Sequence, residues 1–220
     1  MARILQVVLC LVVWSTAFGP PASAMEFSVT LAPDGLRVVS ARGQIVAGDA
    51  DRLAAALRTA DRDAFGNKHL FLNGKGGLVA EALDMVKVMD REKVTTIIGP
   101  QAECASACAQ ILYLSGVHRY VLDGGRLGLH SCWEAGKGTA STYCNDLIAK
   151  NALAHGTGYA SVMAFMQFTE PSRMRWFGPE EADCWGFTRW PPGTDRGSKD
   201  GETPLCILKP PTSTGKLPTK

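Results

Sequence analysis

Short β-forming runs alternate with helical runs through the middle of the chain, and this alternation restricts the fold more than any other feature. Residues 69–72 form an apolar strand that ends at Asn73-Gly74-Lys75-Gly76-Gly77. A helix follows, with Val79, Leu83, Val86 and Asp90 spaced by three and four. Residues 94–98 are a β-branched strand, and a further helix is expected from near Ser106, carrying Ala109 and Leu112 and ending at Gly116. Residues 120–122 and 126–129 read as two more strands around Asp123-Gly124-Gly125. Upstream, residues 27–31 and 36–39 flank Pro33-Asp34-Gly35 as a hairpin, and 44–46 extend a strand. Asp49 is the expected N-cap of a helix burying Leu53, Ala56 and Leu57. Residues 143–168 read as helical with a break near Gly156 and Gly158, and 180–185 as a short helix stopped by Gly186. Strands alternating with helices specify an α/β fold with mostly parallel strands.

The N-terminus bears on the compartment. Arg3 is the only charged side chain before Glu26, residues 4–18 are almost wholly apolar, and Ala22-Ser23-Ala24 follows a Gly-Pro-Pro break. This is the pattern of a secretory signal peptide, and the run is shorter than the roughly 20 residues that span a bilayer. An uncleaved anchor is the alternative. Cleavage after Ala24 leaves 196 of the 220 residues, enough for one domain with a real core. The expected organisation is a signal peptide over 1–24, an α/β domain over 25–190 and a mobile Pro/Gly-rich tail over 191–220. Without Arg3, 22 basic residues face 21 acidic ones, and no basic patch offers nucleic acid a footprint. Besides Cys10, the cysteines are Cys104, Cys108, Cys132, Cys144, Cys184 and Cys206. An even number in an exported chain predicts disulfides and a periplasmic or secreted location. Their 15 possible pairings stay open.

Two strand-to-helix turns carry chemistry. Glycines at 74, 76 and 77 let backbone approach a ligand and expose N–H groups at a helix start, suited to an anion or oxyanion. A plain tight turn is the simpler reading, and the phosphate-loop and dinucleotide patterns are both missing. The second turn, Glu103-Cys104-Ala105-Ser106-Ala107-Cys108-Ala109, places a serine among small residues at a helix entrance. Ser106 either caps that helix or acts as a nucleophile. His130, at the end of the strand 127–129, shifts the balance, because that strand should return beside the serine helix and offer an imidazole as base. His69, His118 and His155 have no such setting.

These segments resemble the Clp/crotonase superfamily, more narrowly its Clp proteolytic-subunit branch. Residues 43–50 resemble the opening strand and helix cap, and 72–79 its Asn-Ser-Pro-Gly-Gly-x-Val turn with Gly-Lys in place of Ser-Pro. Residues 104–108 match the serine turn, 128–130 the histidine strand, and 177–186 the later Glu-Ala helix. The resemblance implies a spiral of ββα units. It makes Ser106 the nucleophile, His130 the base, and the backbone N–H groups of Gly77 and Ala107 the oxyanion hole. The implied activity is an ATP-independent serine peptidase without cofactor or metal, acting on peptide or protein substrates. Homo-oligomers are common on this fold. The family's ATPase partners are cytosolic, so none is expected for an exported relative.

The family's third catalytic residue, an aspartate, corresponds here to Met174; Glu170, Asp183 or Asp146 are the substitutes considered. Three rival readings accompany this one. Lys75 can serve as base in a Ser–Lys dyad if it is buried. Cys104, Cys108, His130 and Cys132 are ligands zinc accepts. A degenerate binding or envelope-interaction module is the non-enzyme alternative.

Overall fold

The computed structural model describes residues 24–133 and 139–194. Its sheet is organised by β3 (Lys68–Gly77), whose inward-facing Leu70 and Leu72 are fully buried. One edge of β3 pairs in parallel with β2 (Arg37–Ile45), from Val39↔Leu70 to Ile45↔Gly77. The other edge serves two strands in turn. β4 (Val94–Ile98) pairs with its first half, and β5 (Glu103–Ala105) takes over at Gly74↔Cys104. From β4 the ladder passes in parallel to β6 (Arg119–Val121), and from β5 to β7 (Arg126–Leu129). β1 (Glu26–Leu31) and β8 (Arg175–Phe177) close the ends antiparallel, on β2 and β7. The result is a mixed α/β fold with an eight-stranded, mostly parallel sheet.

Helices α1 (Asp49–Thr59) and α2 (Val79–Glu92) bury Leu53, Leu57, Met85 and Met89. Between β5 and β6 the chain forms a π-helical turn (Cys108–Leu112) continuing as a 3₁₀ turn (Tyr113–Ser115), buried throughout. Helices α3 (Thr142–Ala154) and α4 (Tyr159–Met166) pack together, and α5 (Pro179–Cys184) follows β8.

Several expectations need correction. The strand expected over 69–72 continues through the glycines to Gly77, because the β2 ladder follows it there. Asp49 is the first residue of α1 and not its cap: its buried carboxylate accepts the Val46 N–H at 2.6 Å and pairs with Arg52 at 2.5 Å. β5 and β8, of three residues each, were not anticipated; both lie beside β7, which supplies their pairing. Residues 1–23 and 195–220, with most of the expected signal peptide and tail, lie outside the described residues, as does Cys206. Among the described residues no helix is long and apolar enough to cross a membrane.

Cysteine pairing is consistent with the disulfides expected. Cys104 bonds Cys108 and Cys132 bonds Cys144, with Cα separations of 5.3 and 5.8 Å. Cys184 is disulfide-bonded as well. Cys104, Cys108 and Cys132 thus have their sulfurs committed to other sulfurs, which removes three of the four zinc donors considered.

The most deeply buried cation among the described residues is Arg119. Arg119 is 1% exposed, and its guanidinium donates to the carbonyls of Phe187 (2.9 Å), His155 (2.9 Å), Leu114 (3.2 Å) and Gly116 (3.3 Å). Two of these, His155 and Gly116, are the C-caps of α3 and the 3₁₀ turn, where carbonyls lack helical partners. Burial lowers the Arg119 pKa to about 10, so it stays charged at neutral pH. Replacing Arg119 with Leu leaves buried carbonyls without donors. Urea unfolding of Arg119→Leu should show a loss of about 3 kcal/mol or more.

Candidate active site at the serine turn

Parallel pairing brings the sequence-predicted residues to one end of the sheet. β3, β5 and β7 are successive neighbours, with Gly74 level with Cys104, Cys104 with Leu127 and Ala105 with Gly128. Their C-terminal ends therefore share a side. Gly77 is the last residue of β3, Ser106 directly follows β5, and His130 directly follows β7. In parallel α/β sheets, ligands collect outside the carboxyl ends of strands. Here Gly77, Ser106 and His130 line one cavity of about 680 Å³, together with Lys75 and Met174.

Ser106 is not an ordinary helix cap. Its φ is 56°, in the left-handed region that a non-glycine residue rarely occupies, and no side chain caps the turn that follows. Such a conformation costs on the order of 1–3 kcal/mol and persists only where its surroundings impose it. The impositions are identifiable. The Ser106 N–H donates to the Gly128 carbonyl at 3.0 Å, and its own carbonyl accepts the Gln110 N–H at 2.8 Å. The Cys104–Cys108 disulfide spans the serine, anchored two residues to either side. Gly76 presses against the turn: a Cβ there would lie 2.7 Å from both the Ala107 nitrogen and the Ser106 Cβ. The Ala107 N–H has no acceptor among the described residues, so a main-chain donor next to the serine is free.

His130 is 6% exposed, and its Nδ1 lacks a hydrogen-bond partner among the described residues. Burial lowers its pKa below the ordinary 6.5, partly opposed by main-chain groups of Ser131 and Pro171. Neither of these completes a hydrogen bond to Nδ1. No hydrogen bond joins the ring to the Ser106 hydroxyl; in catalytic sites such contacts often tighten only with substrate bound.

Among the described residues no carboxylate orients the ring. Asp146 accepts from the Tyr159 hydroxyl at 2.9 Å and pairs with Lys150 at 2.7 Å. Glu170 pairs with Arg173 at 3.5 Å, and Asp183 accepts from Thr188. All three substitutes considered from the sequence are thus engaged elsewhere. Met174 packs over β7, where a Cβ on Gly128 would meet its sulfur at 2.8 Å.

Gln110 was missed in the sequence. Fully buried, it donates its side-chain amide to the His130 carbonyl at 2.7 Å while its N–H holds the Ser106 carbonyl. One residue thereby ties the serine turn to the histidine. Its position four after Ser106, among apolar neighbours, was the available signal. On the far side, the Cys132–Cys144 disulfide and the Asn145 Oδ1, which accepts the Cys132 N–H at 2.7 Å, fix the chain leaving His130 to α3. Lys75 also lines the cavity but is exposed, contrary to what a base lysine requires.

Comparison of the sequence with family models and with curated proteins finds no match.

The contact at Gly76 is with backbone atoms of Ala105 and Ala107 and the Ser106 Cβ, none of which can swing aside, and Gly76 has a φ of +86°. Gly76→Ala should lose about 2 kcal/mol or more in urea unfolding, with a matching disturbance of reactivity at Ser106.

Proposed function

We propose that this protein is an exported serine hydrolase with a Clp/crotonase-type spiral of ββα units, acting as an ATP-independent peptidase. The observation that carries this reading is the convergence of Gly77, Ser106 and His130 on one cavity at the ends of three adjacent parallel strands, with Ser106 held left-handed. A nucleophile on a strained strand-to-helix turn has its hydroxyl raised clear of the sheet, as in other hydrolase elbows.

The chemistry is acyl transfer to water. Neutral His130 accepts the Ser106 proton as Oγ bonds to the substrate carbonyl carbon, and the carbonyl oxygen becomes an oxyanion between the Gly77 and Ala107 amides. The imidazolium gives that proton to the leaving amine as the C–N bond breaks. A water molecule then repeats the addition with His130 as base, releasing the acid and restoring Ser106. Main-chain groups of Ser131 and Pro171 favour the charged ring where the family uses a carboxylate. They fix the ring less firmly, so turnover should be slow. The disulfides support an oxidising, periplasmic or secreted location. No ATPase partner is needed, and a homo-oligomer is in keeping with the fold.

A catalytically inactive binding module is the second reading, favoured by the missing carboxylate at Met174.

Incubation with a fluorophosphonate probe separates the two. Wild type should be labelled and Ser106→Ala should not; equal labelling of both rejects the hydrolase. His130→Ala should slow labelling by about 100-fold or more. The acid limb follows from the sign of the His130 shift. Only the neutral ring can accept the proton, and a lowered pKa keeps it neutral further into acid. The labelling rate should therefore halve at a pH below 6.5 and vanish beneath it.

A further inference from the structure

The cavity around Ser106 has a charge bias that the hydrolase reading does not use. Its described lining includes two cations, Lys75 and Arg173, and no carboxylate. Lys75 has no ion-pair partner among the described residues, whereas Arg173 is held by Glu170 at 3.5 Å. That pair is highly exposed, at 76% and 71%, and such pairs are weak. Among the described residues, Lys75 is therefore the principal uncompensated charge beside the serine.

Its placement is a consequence of the sheet. The β2–β3 register runs Gly43↔Gly74 and then Gln44↔Gly76, which leaves Lys75 as the extra, unpaired residue of a β-bulge. Bulges re-aim side chains and are frequent beside active sites. Around Lys75, the rim is apolar. Leu78, Trp133 and Tyr143 line the cavity and are 52%, 51% and 76% exposed.

We infer that the site takes an acidic peptide segment, in which a carboxylate close to the scissile bond meets Lys75 and apolar neighbours cover Leu78, Trp133 and Tyr143. A cation with no protein partner gains by meeting an anion near the low-dielectric wall of a cleft, and gains nothing from a neutral isostere. Arg173 adds a smaller attraction, because Glu170 already answers part of its charge. This inference rests on the peptidase reading for the meaning of "scissile", but the binding preference exists without turnover.

The test is equilibrium binding to full-length Ser106→Ala, followed by fluorescence anisotropy. The probes are fluorescein-labelled Ala-Leu-Glu-Leu-Ala and its counterpart with Gln for Glu. At about 20 mM salt the Glu peptide should bind about fivefold tighter or better, and at about 300 mM the advantage should shrink. Adding Lys75→Gln should bring the two affinities together, Lys75→Arg should keep them apart, and Arg173→Gln should narrow the gap only partly. Circular dichroism on each variant checks that the fold is retained, as expected for exposed side chains. Equal affinities for the two peptides, no binding of either, or a preference that survives Lys75→Gln overturns the inference. Failure of the hydrolase reading is seen separately, as absent labelling of wild-type Ser106 by fluorophosphonate.

Discussion

The site depends on how closely one stretch of backbone can approach another. At Gly76 the end of β3 lies against Ser106 and Ala107 with no room for a methyl group between them. This contact sets the depth of the serine turn relative to the sheet. The Gly128 carbonyl and the Cys104–Cys108 bond then fix its direction. A left-handed serine is unfavourable in isolation, so it persists because these constraints act together. The serine turn can lie this close because a glycine stands where the two segments meet.

The sequence made some of this legible and concealed the rest for physical reasons. The long periodic elements were readable, since Val79, Leu83 and Val86 repeat at helical spacing and residues 94–98 are β-branched throughout. The three-residue strands β5 and β8 were not, because so short a run has no period to detect and forms only where a neighbour offers hydrogen bonds. Asp49 was misplaced by one position for a similar reason. Its carboxylate bonds upstream to Val46, a choice made by the β2 turn and not by helix propensity. At the site, Ser106 and His130 could be named from their places after strands, since parallel strands carry their C-terminal ends to one side, whereas the role of Gly77 came from the family resemblance. Gln110 could not be, because its role lies in a contact 20 residues away along the chain.

His130 illustrates two opposed demands on one ring. Removing it from water lowers its proton affinity, which keeps it neutral and able to accept a proton. Among the described residues Nδ1 has no partner, and thus no carboxylate that would stabilise the ion formed during reaction. Gln110 secures the histidine through its carbonyl and not through the ring. Position is therefore better determined than tautomer.

Arg119 has a bearing on how the chain assembles. Its acceptors lie 3, 5, 36 and 68 residues away, so no local segment can solvate the guanidinium alone. Only Leu114 and Gly116, two of the four acceptors, precede β6 in the chain. The last turn of α3 and the residues after α5 supply the missing dipoles. Burial of Arg119 therefore depends on segments far apart in the chain being in place together.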